Sequence, residues 1–268
     1  MLRLPAVAGS FYPSDPKELS ALINAYTDKK EGLSARRVKA CLVPHAGYVY
    51  SGHVAGAVFA SVRLPKKIVI LGVRHRPPGL PVAMVLNGAW RTPLGDARID
   101  EELAEALRSA GSLLREDTLS HGREHSLEVQ LPFLQALEPR FTFVPIALGT
   151  VNFDDLVTVG QAIGTVLSAN EDVLLLTTSD LNHYEDDATT RRKDQKAIEQ
   201  LLKMDARGLY DTCRQGNISM CGLGPAVAML TALQVLKASE AELIRYATSA
   251  ERSGDRDAVV GYAGMIFS

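Results

Sequence analysis

Two near-continuous apolar runs limit what this chain can become: Lys67–Gly72, reading Lys-Ile-Val-Ile-Leu-Gly, and Val173–Thr178, reading Val-Leu-Leu-Leu-Thr-Thr. A strand without polar alternation has no face to give to water, so both of its sides must be covered, as in parallel sheets flanked by helices. Further strands are expected at Val38–Val43, Val82–Leu86, Phe141–Leu148, Leu243–Ser249 and Ala258–Phe267. Apolar spacing predicts helices at Pro16–Tyr26, Val54–Val62, Ile99–Ala110, Leu127–Leu137 and Phe153–Leu167. Others are expected at 188–204, 205–215 and from Cys221 to Leu236, while residues 1–16 read as an irregular arm and 111–125 as a loop. Alternating strands and helices point to an α/β fold: a single three-layer domain over 1–268 whose mixed, mainly parallel sheet is covered on both faces. No linker, low-complexity stretch or fixed-period repeat divides it.

A formal charge of −2 leaves no basic footprint for nucleic acid or an acidic membrane surface. No apolar run approaches the ~20 residues of a membrane span, and Met1-Leu2-Arg3-Leu4-Pro5 lacks a signal-peptide core. Cys41, Cys213 and Cys221 have neither zinc-ribbon nor CxxC spacing, so a reducing, cytoplasmic setting is expected.

Polar groups gather where strands end. Pro44 blocks continuation of Val38–Val43 and His45 follows it, between Pro44 and the flexible Gly47. His75 comes three residues after Gly72, and Ser179-Asp180-Leu181-Asn182-His183 follows Val173–Thr178. Cys221 precedes a helix that Pro225 can start, where exposed N–H groups favour a thiolate. Loops after parallel strands share one sheet edge, so these groups are expected to converge. Histidines suit zinc, copper or iron, and a thiolate shifts the preference toward softer metals.

Each residue alone also has a plainer reading: a half-buried histidine, a small apolar cysteine, a capping aspartate, tyrosines (Tyr48, Tyr50) that only form walls. The joint placement favours a site. His121-Gly122-Arg123-Glu124-His125 matches H-x-x-E-H, the inverted zinc-peptidase signature, but that motif needs a helix and Gly122 sits inside it. A polar loop is the better reading, with His125 and Glu128 expected to reach the common cleft. Gly222-Leu223-Gly224 is an incomplete dinucleotide loop, and no Walker loop or G-x-S-x-G elbow is present.

Several segments together are similar to the MEMO-like family: Pro5–Pro13, Pro44-His45-Ala46-Gly47-Tyr48 with Tyr50-Ser51-Gly52, His125-Ser126-Leu127-Glu128 with Leu131-Pro132-Phe133, Ser179–Tyr184, Cys221-Gly222 and Val260–Ala263. The resemblance covers nearly the whole chain and implies a fold like that of class III extradiol dioxygenases. It also implies metal ligands at His45, His75 and Cys221, with cysteine standing where those dioxygenases have a carboxylate. His183 would handle protons, with Asp180 beside it and His125 as a further cleft residue. The implied cofactor is iron or copper, with zinc also suited to the imidazoles; the implied partner, for prokaryotic members, is a radical-SAM protein. Two departures stand out: Asn182, and the acidic run Glu185-Asp186-Asp187, which are expected to alter the rim's shape and charge. Arg74 and Arg76 flank His75 and are expected to make the cleft positive, which suits an anionic or phenolate substrate.

The leading expectation is a non-haem, metal-dependent oxidoreductase acting on a small phenolic or catechol-like molecule. A thiolate beside iron and oxygen is itself open to oxidation. The alternative is therefore a non-catalytic adaptor that holds a peptide or partner protein in the same cleft. A zinc peptidase built on His121 and His125 comes third.

Overall fold

The two apolar runs lie side by side in the middle of one sheet, in a computed structural model that describes residues 1–28, 35–170 and 172–268. The elements begin with β1 (Leu2–Arg3), α1 (Pro16–Thr27), β2 (Ala40–Val43), α2 (Tyr48–Ser61), β3 (Lys67–Val73) and β4 (Val82–Met84). A hairpin of β5 (Ala89–Thr92) and β6 (Gly95–Ile99) precedes α3 (Glu101–Ala110), β7 (Arg115–Glu116) and α4 (Leu131–Leu137). Then come β8 (Thr142–Leu148), α5 (Phe153–Ser168), β9 (Val173–Thr178), β10 (His183–Glu185), α6 (Asp187–Leu202), α7 (Ala206–Gln215) and α8 (Leu223–Val235). The last elements are β11 (Ala241–Thr248), α9 (Ala250–Ser253) and β12 (Val259–Phe267).

The sheet runs β1-β5-β6-β8-β3-β9-β2-β12-β10, with β11 also on β12 and β4 joining β8 to β7. From β6 to β2 each neighbouring pair is parallel, whereas β12 is antiparallel to β2. The expected mixed, mainly parallel sheet is what forms. Helices α3, α5, α8, α7 and α6 pack as one group and α1, α2 and α4 as another, so the sheet is the middle of three layers. Every residue of α8 from Leu223 to Leu233 is buried, because α5, α7 and the strands β3, β9 and β2 surround it. Gly160 and Gly164 of α5 allow this closeness: a Cβ at either position would meet α8 at Thr231 or Val235, at 2.6 and 2.7 Å.

Several elements differ from the sequence expectation. Helix α2 starts at Tyr48, directly after Gly47, rather than at Val54. The Leu127–Leu137 helix begins as a 3-10 turn at Glu128–Gln130, and Pro132 sits in the first turn of α4, where its missing N–H costs nothing. The β5–β6 hairpin had no counterpart among the expected strands, although Trp90 and Thr92, then Ala97 and Ile99, point inward in strict alternation. Among the described residues, no helix is long and apolar enough to cross a membrane.

The N-terminal arm is fixed by one buried carboxylate. Glu128, fully buried, accepts hydrogen bonds from Arg3 (2.6 Å), the amides of Ala6 and Val7, and the Tyr12 hydroxyl (2.7 Å). Glu128 therefore does not reach the cleft as expected; it is saturated by the arm.

Candidate metal centre

Strand register explains why distant residues meet. Val43 pairs with Thr178 and Leu71 with Thr177, so β2, β3 and β9 end together at one edge of the sheet. Pro44 stops β2 there and leaves His45 in the following loop. His75 leaves β3 two residues past its end, and Asp180 leaves β9 likewise. The antiparallel β12 begins at this same edge, and its Val260 pairs with His183. Cys221 arrives from the α7–α8 loop.

The ligand atoms of His45, His75 and Cys221 all lie within 4.8 Å of one another. Two overlapping groups meet the same limit: His75 with Glu124 and His125, and Asp180 with His183 and Cys221. The structure thus brings together His45, His75, Cys221, Asp180, His183 and His125, and adds Glu124.

Hydrogen bonds orient the two imidazoles. His75 Nδ1 lies 2.9 Å from Glu124 Oε1, and the His75 and Ser126 amides donate to the same carboxylate. Burial opposes ionisation of Glu124, but its bonds from His75 and those amides prevail and hold the carboxyl near 2. An ionised carboxylate can only accept, so His75 Nδ1 carries the proton and Nε2 keeps the lone pair. His45 Nδ1 is taken by the Thr178 hydroxyl at 2.7 Å, and its Nε2 lies 3.1 Å from Cys221 Sγ. Asp180 accepts the His45 amide at 2.8 Å and so fixes the backbone at His45.

The cleft is dry on one side and open on the other. His45 is 1% exposed, while the His75 side chain keeps 28% of its surface. Burial, reinforced by the neighbouring His75, pushes His45 down to about 3, and burial followed by His45 pushes His125 to about 4. Burial also raises the Cys221 thiol, with the charge of Asp180 adding to it, and burial raises the Asp180 carboxyl. Burial thus favours neutral imidazoles at His45 and His125 and a protonated thiol at Cys221. Two imidazole lone pairs and a sulfur that gains from losing its proton are a donor set that fits a borderline or soft divalent metal.

His183 donates from Nδ1 to the Ser219 carbonyl at 2.9 Å, since a carbonyl can only accept, and this leaves Nε2 free as an acceptor. His125 stacks on His75 with ring centroids 4.6 Å apart and is capped by Phe11 at 4.7 Å.

Other expectations need correction. His121 is buried under Trp90, its Nε2 3.2 Å from the Ala83 carbonyl, and the segment around it is a 3-10 turn followed by irregular chain. The helix that the zinc-peptidase signature requires is absent, and His121 takes no part in the cluster. Arg74 lies against Gly149 and bonds the Arg76 carbonyl, while Arg76 lines a cavity beside Trp90 that Glu124 also lines. Among the described residues neither arginine makes an ion pair. Asn182 is a buried strut: it takes Ser219 onto its carbonyl and donates to Glu185. Asp186 caps α6, Glu185 pairs with Lys193 at 2.7 Å, and Asp187 binds Thr248 and Arg191. Glu185 and Asp187 are thus paired with cations, whereas Asp186 is held by its cap hydrogen bond. Glu124 is the member of this cluster that the sequence reading leaves out, since its motif reads as a loop; the signal for it is its place next to His125.

The sheet and this edge define a three-layer α/β protein carrying a His/His/Cys group, with carboxylates around it, at the ends of parallel strands. The chain belongs to the Memo-like family, whose model matches residues 3–266. It is 40% identical over 280 residues to a MEMO1 family protein of Methanopyrus kandleri, covering 100% of this chain and 99% of the relative. A Methanosarcina barkeri MEMO1 family protein is 41% identical over 267 residues, with 99% of each chain covered. One from Aquifex aeolicus is 39% identical over 269 residues, again with 99% of each covered. The crystal structure of the uncharacterized protein JW3007 from Escherichia coli K12 is similar at a TM-score of 0.57 and 10% identity, covering 86% of this chain and 100% of that one. That likeness concerns the fold alone.

Proposed function

We propose that this protein binds a divalent metal, iron or copper, through His45, His75 and Cys221 and acts as a non-haem oxidoreductase on a small phenolic or catechol-like substrate. The observation that supports this most is the convergence of the three donors within 4.8 Å, with Glu124 and Thr178 fixing the imidazoles behind them. When bound, the metal would supply Lewis acidity and open positions for exchangeable ligands. Glu124 holds His75 in the tautomer that offers Nε2 outward. Asp180 fixes the loop that carries His45. His183, with Nδ1 committed to Ser219, receives the substrate's hydroxyl proton at Nε2 and returns it later. His125 and Phe11 form an aromatic wall that limits where a ring can lie. A reducing cytoplasm would keep Cys221 available as a ligand.

The test is metal analysis of protein purified without a metal-binding tag, followed by anaerobic iron loading and a catechol panel. Stoichiometric metal in the wild type, lost in His45→Ala and Cys221→Ser, is expected, together with oxygen uptake on at least one catechol. A metal content that both variants leave unchanged would sink the ligand assignment.

One observation favours a second reading. Tyr184 stands 76% exposed beside His183, with ring centroids 5.6 Å apart, as an apolar lip on the cleft. An adaptor that holds a peptide or a radical-SAM partner across that lip would bind equally well after the metal is stripped, whereas a metal-dependent enzyme would not.

A further inference from the structure

Another cavity, about 760 Å³, is lined by none of the residues of the histidine cluster. It lies among α1, α2, β11 and α9. His53 of α2 lines it, only 5% exposed, and neither of its ring nitrogens has a hydrogen-bond partner among the described residues. Buried imidazole nitrogens are normally satisfied, so a side chain left in this state points to a ligand. Arg245 from β11 and Arg252 from α9 line the same cavity, and both lie near enough to disfavour a charge on His53. Among the described residues, neither guanidinium has an ion-pair or hydrogen-bond partner. The acidic groups nearby do not cancel them. Glu251 Oε2 is 3.9 Å from His53 Nε2, but its other oxygen faces Arg191 at 3.8 Å. Asp28, on the lining, makes no ion pair among the described residues.

We propose that this cavity binds a small organic phosphate, with Arg245, Arg252 and the His53 N–H donating to its terminal oxygens. Three donor-bearing side chains match the three terminal oxygens of a phosphate monoester, and guanidinium forks suit that geometry. A carboxylate would leave one donor idle. The volume is more than a bare phosphate fills and falls within the ~300–1,000 Å³ of small-molecule sites. Ala57, Ala60 and Ile244 supply apolar wall for the remainder of the ligand. The proposal does not depend on the metal centre.

Phenyl phosphate titrated calorimetrically into the full chain tests it, with inorganic phosphate and benzoate as comparators. We expect one site per chain and binding at least about tenfold tighter than either comparator. Binding should be the same after metal is stripped. Arg245→Gln and Arg252→Gln change exposed side chains, so both variants should fold; each is expected to weaken phenyl phosphate about tenfold. The His53 ring resonances should shift during the titration. No heat and no His53 shift at about 10 mM ligand, or affinity unchanged in both arginine variants, would overturn the site. Benzoate or inorganic phosphate binding as tightly as phenyl phosphate would overturn the ligand class.

Discussion

Glu124 shows how one side chain outside the donor set controls it. Its carboxylate fixes the His75 tautomer and is itself held by two amides. Glu124→Gln puts an N–H₂ where only an acceptor belongs, and metal affinity should fall about 10–100-fold in chelator competition. Unchanged affinity would show that His75 orients itself. A pH effect belongs to this scale as well. Burial pushes His121 down to about 4 and His45 to about 3, from an ordinary value of 6.5. The unfolded chain therefore takes up protons near pH 6.5 that the folded chain refuses, so stability present above that pH is lost as it falls. About two pH units below the unfolded value correspond to ~2–3 kcal/mol per such histidine. Asp194 works in the opposite sense, since burial raises its carboxyl to about 6, and it returns part of that loss. Chelator-treated protein should thus show a lower urea midpoint at about pH 4.5 than at about pH 7. Equal midpoints would contradict the burial argument. His45, His75 and Asp180 were legible because a strand must end before a loop can present a side chain. Glu124 was not, because nothing in H-x-x-E-H says which of its residues turn inward.

Among the elements, the α5–α8 contact is the most demanding. Helix α8 is apolar all round, and its seat against α5 depends on two glycines spaced one turn apart. Gly160→Ala would press a Cβ against the Ala228 carbonyl and to within 2.6 Å of Thr231 Cβ. A loss of about 1–3 kcal/mol and a melting temperature lower by several degrees are expected. A melt superimposable on the wild type would show that the helices separate freely. Since Cys221 lies just before α8, the same variant should also weaken metal retention. The sequence made α8 legible as a buried helix and β3 and β9 as buried strands, because continuous apolarity has few outlets. It did not disclose that β2, β3 and β9 are neighbours, since pairing order depends on contacts distant in the chain. The β5–β6 hairpin escaped because each of its strands shows only two inward positions, too few to distinguish alternation from chance.

For the molecule as a whole, the arm is the feature that joins stability to the cleft. Arg3, Ala6, Val7 and Tyr12 all converge on Glu128, and Phe11, from the same arm, caps His125. Glu128→Ala would leave the Arg3 guanidinium without its carboxylate partner, and a loss of about 3–5 kcal/mol is expected. Limited proteolysis should then cut first within the arm; an arm as resistant as in the wild type would show that Glu128 is not its anchor. The final consequence concerns order in time. Strand β2 has β12 as its neighbour on the side away from β9, and β12 comes more than 200 residues later in the chain. During synthesis, until β12 has emerged and docked, β2 presents a bare, wholly apolar edge. The aggregation risk at this edge therefore lasts until β12 has been made, and no nascent fragment that lacks Cys221 can complete the His45, His75 and Cys221 group.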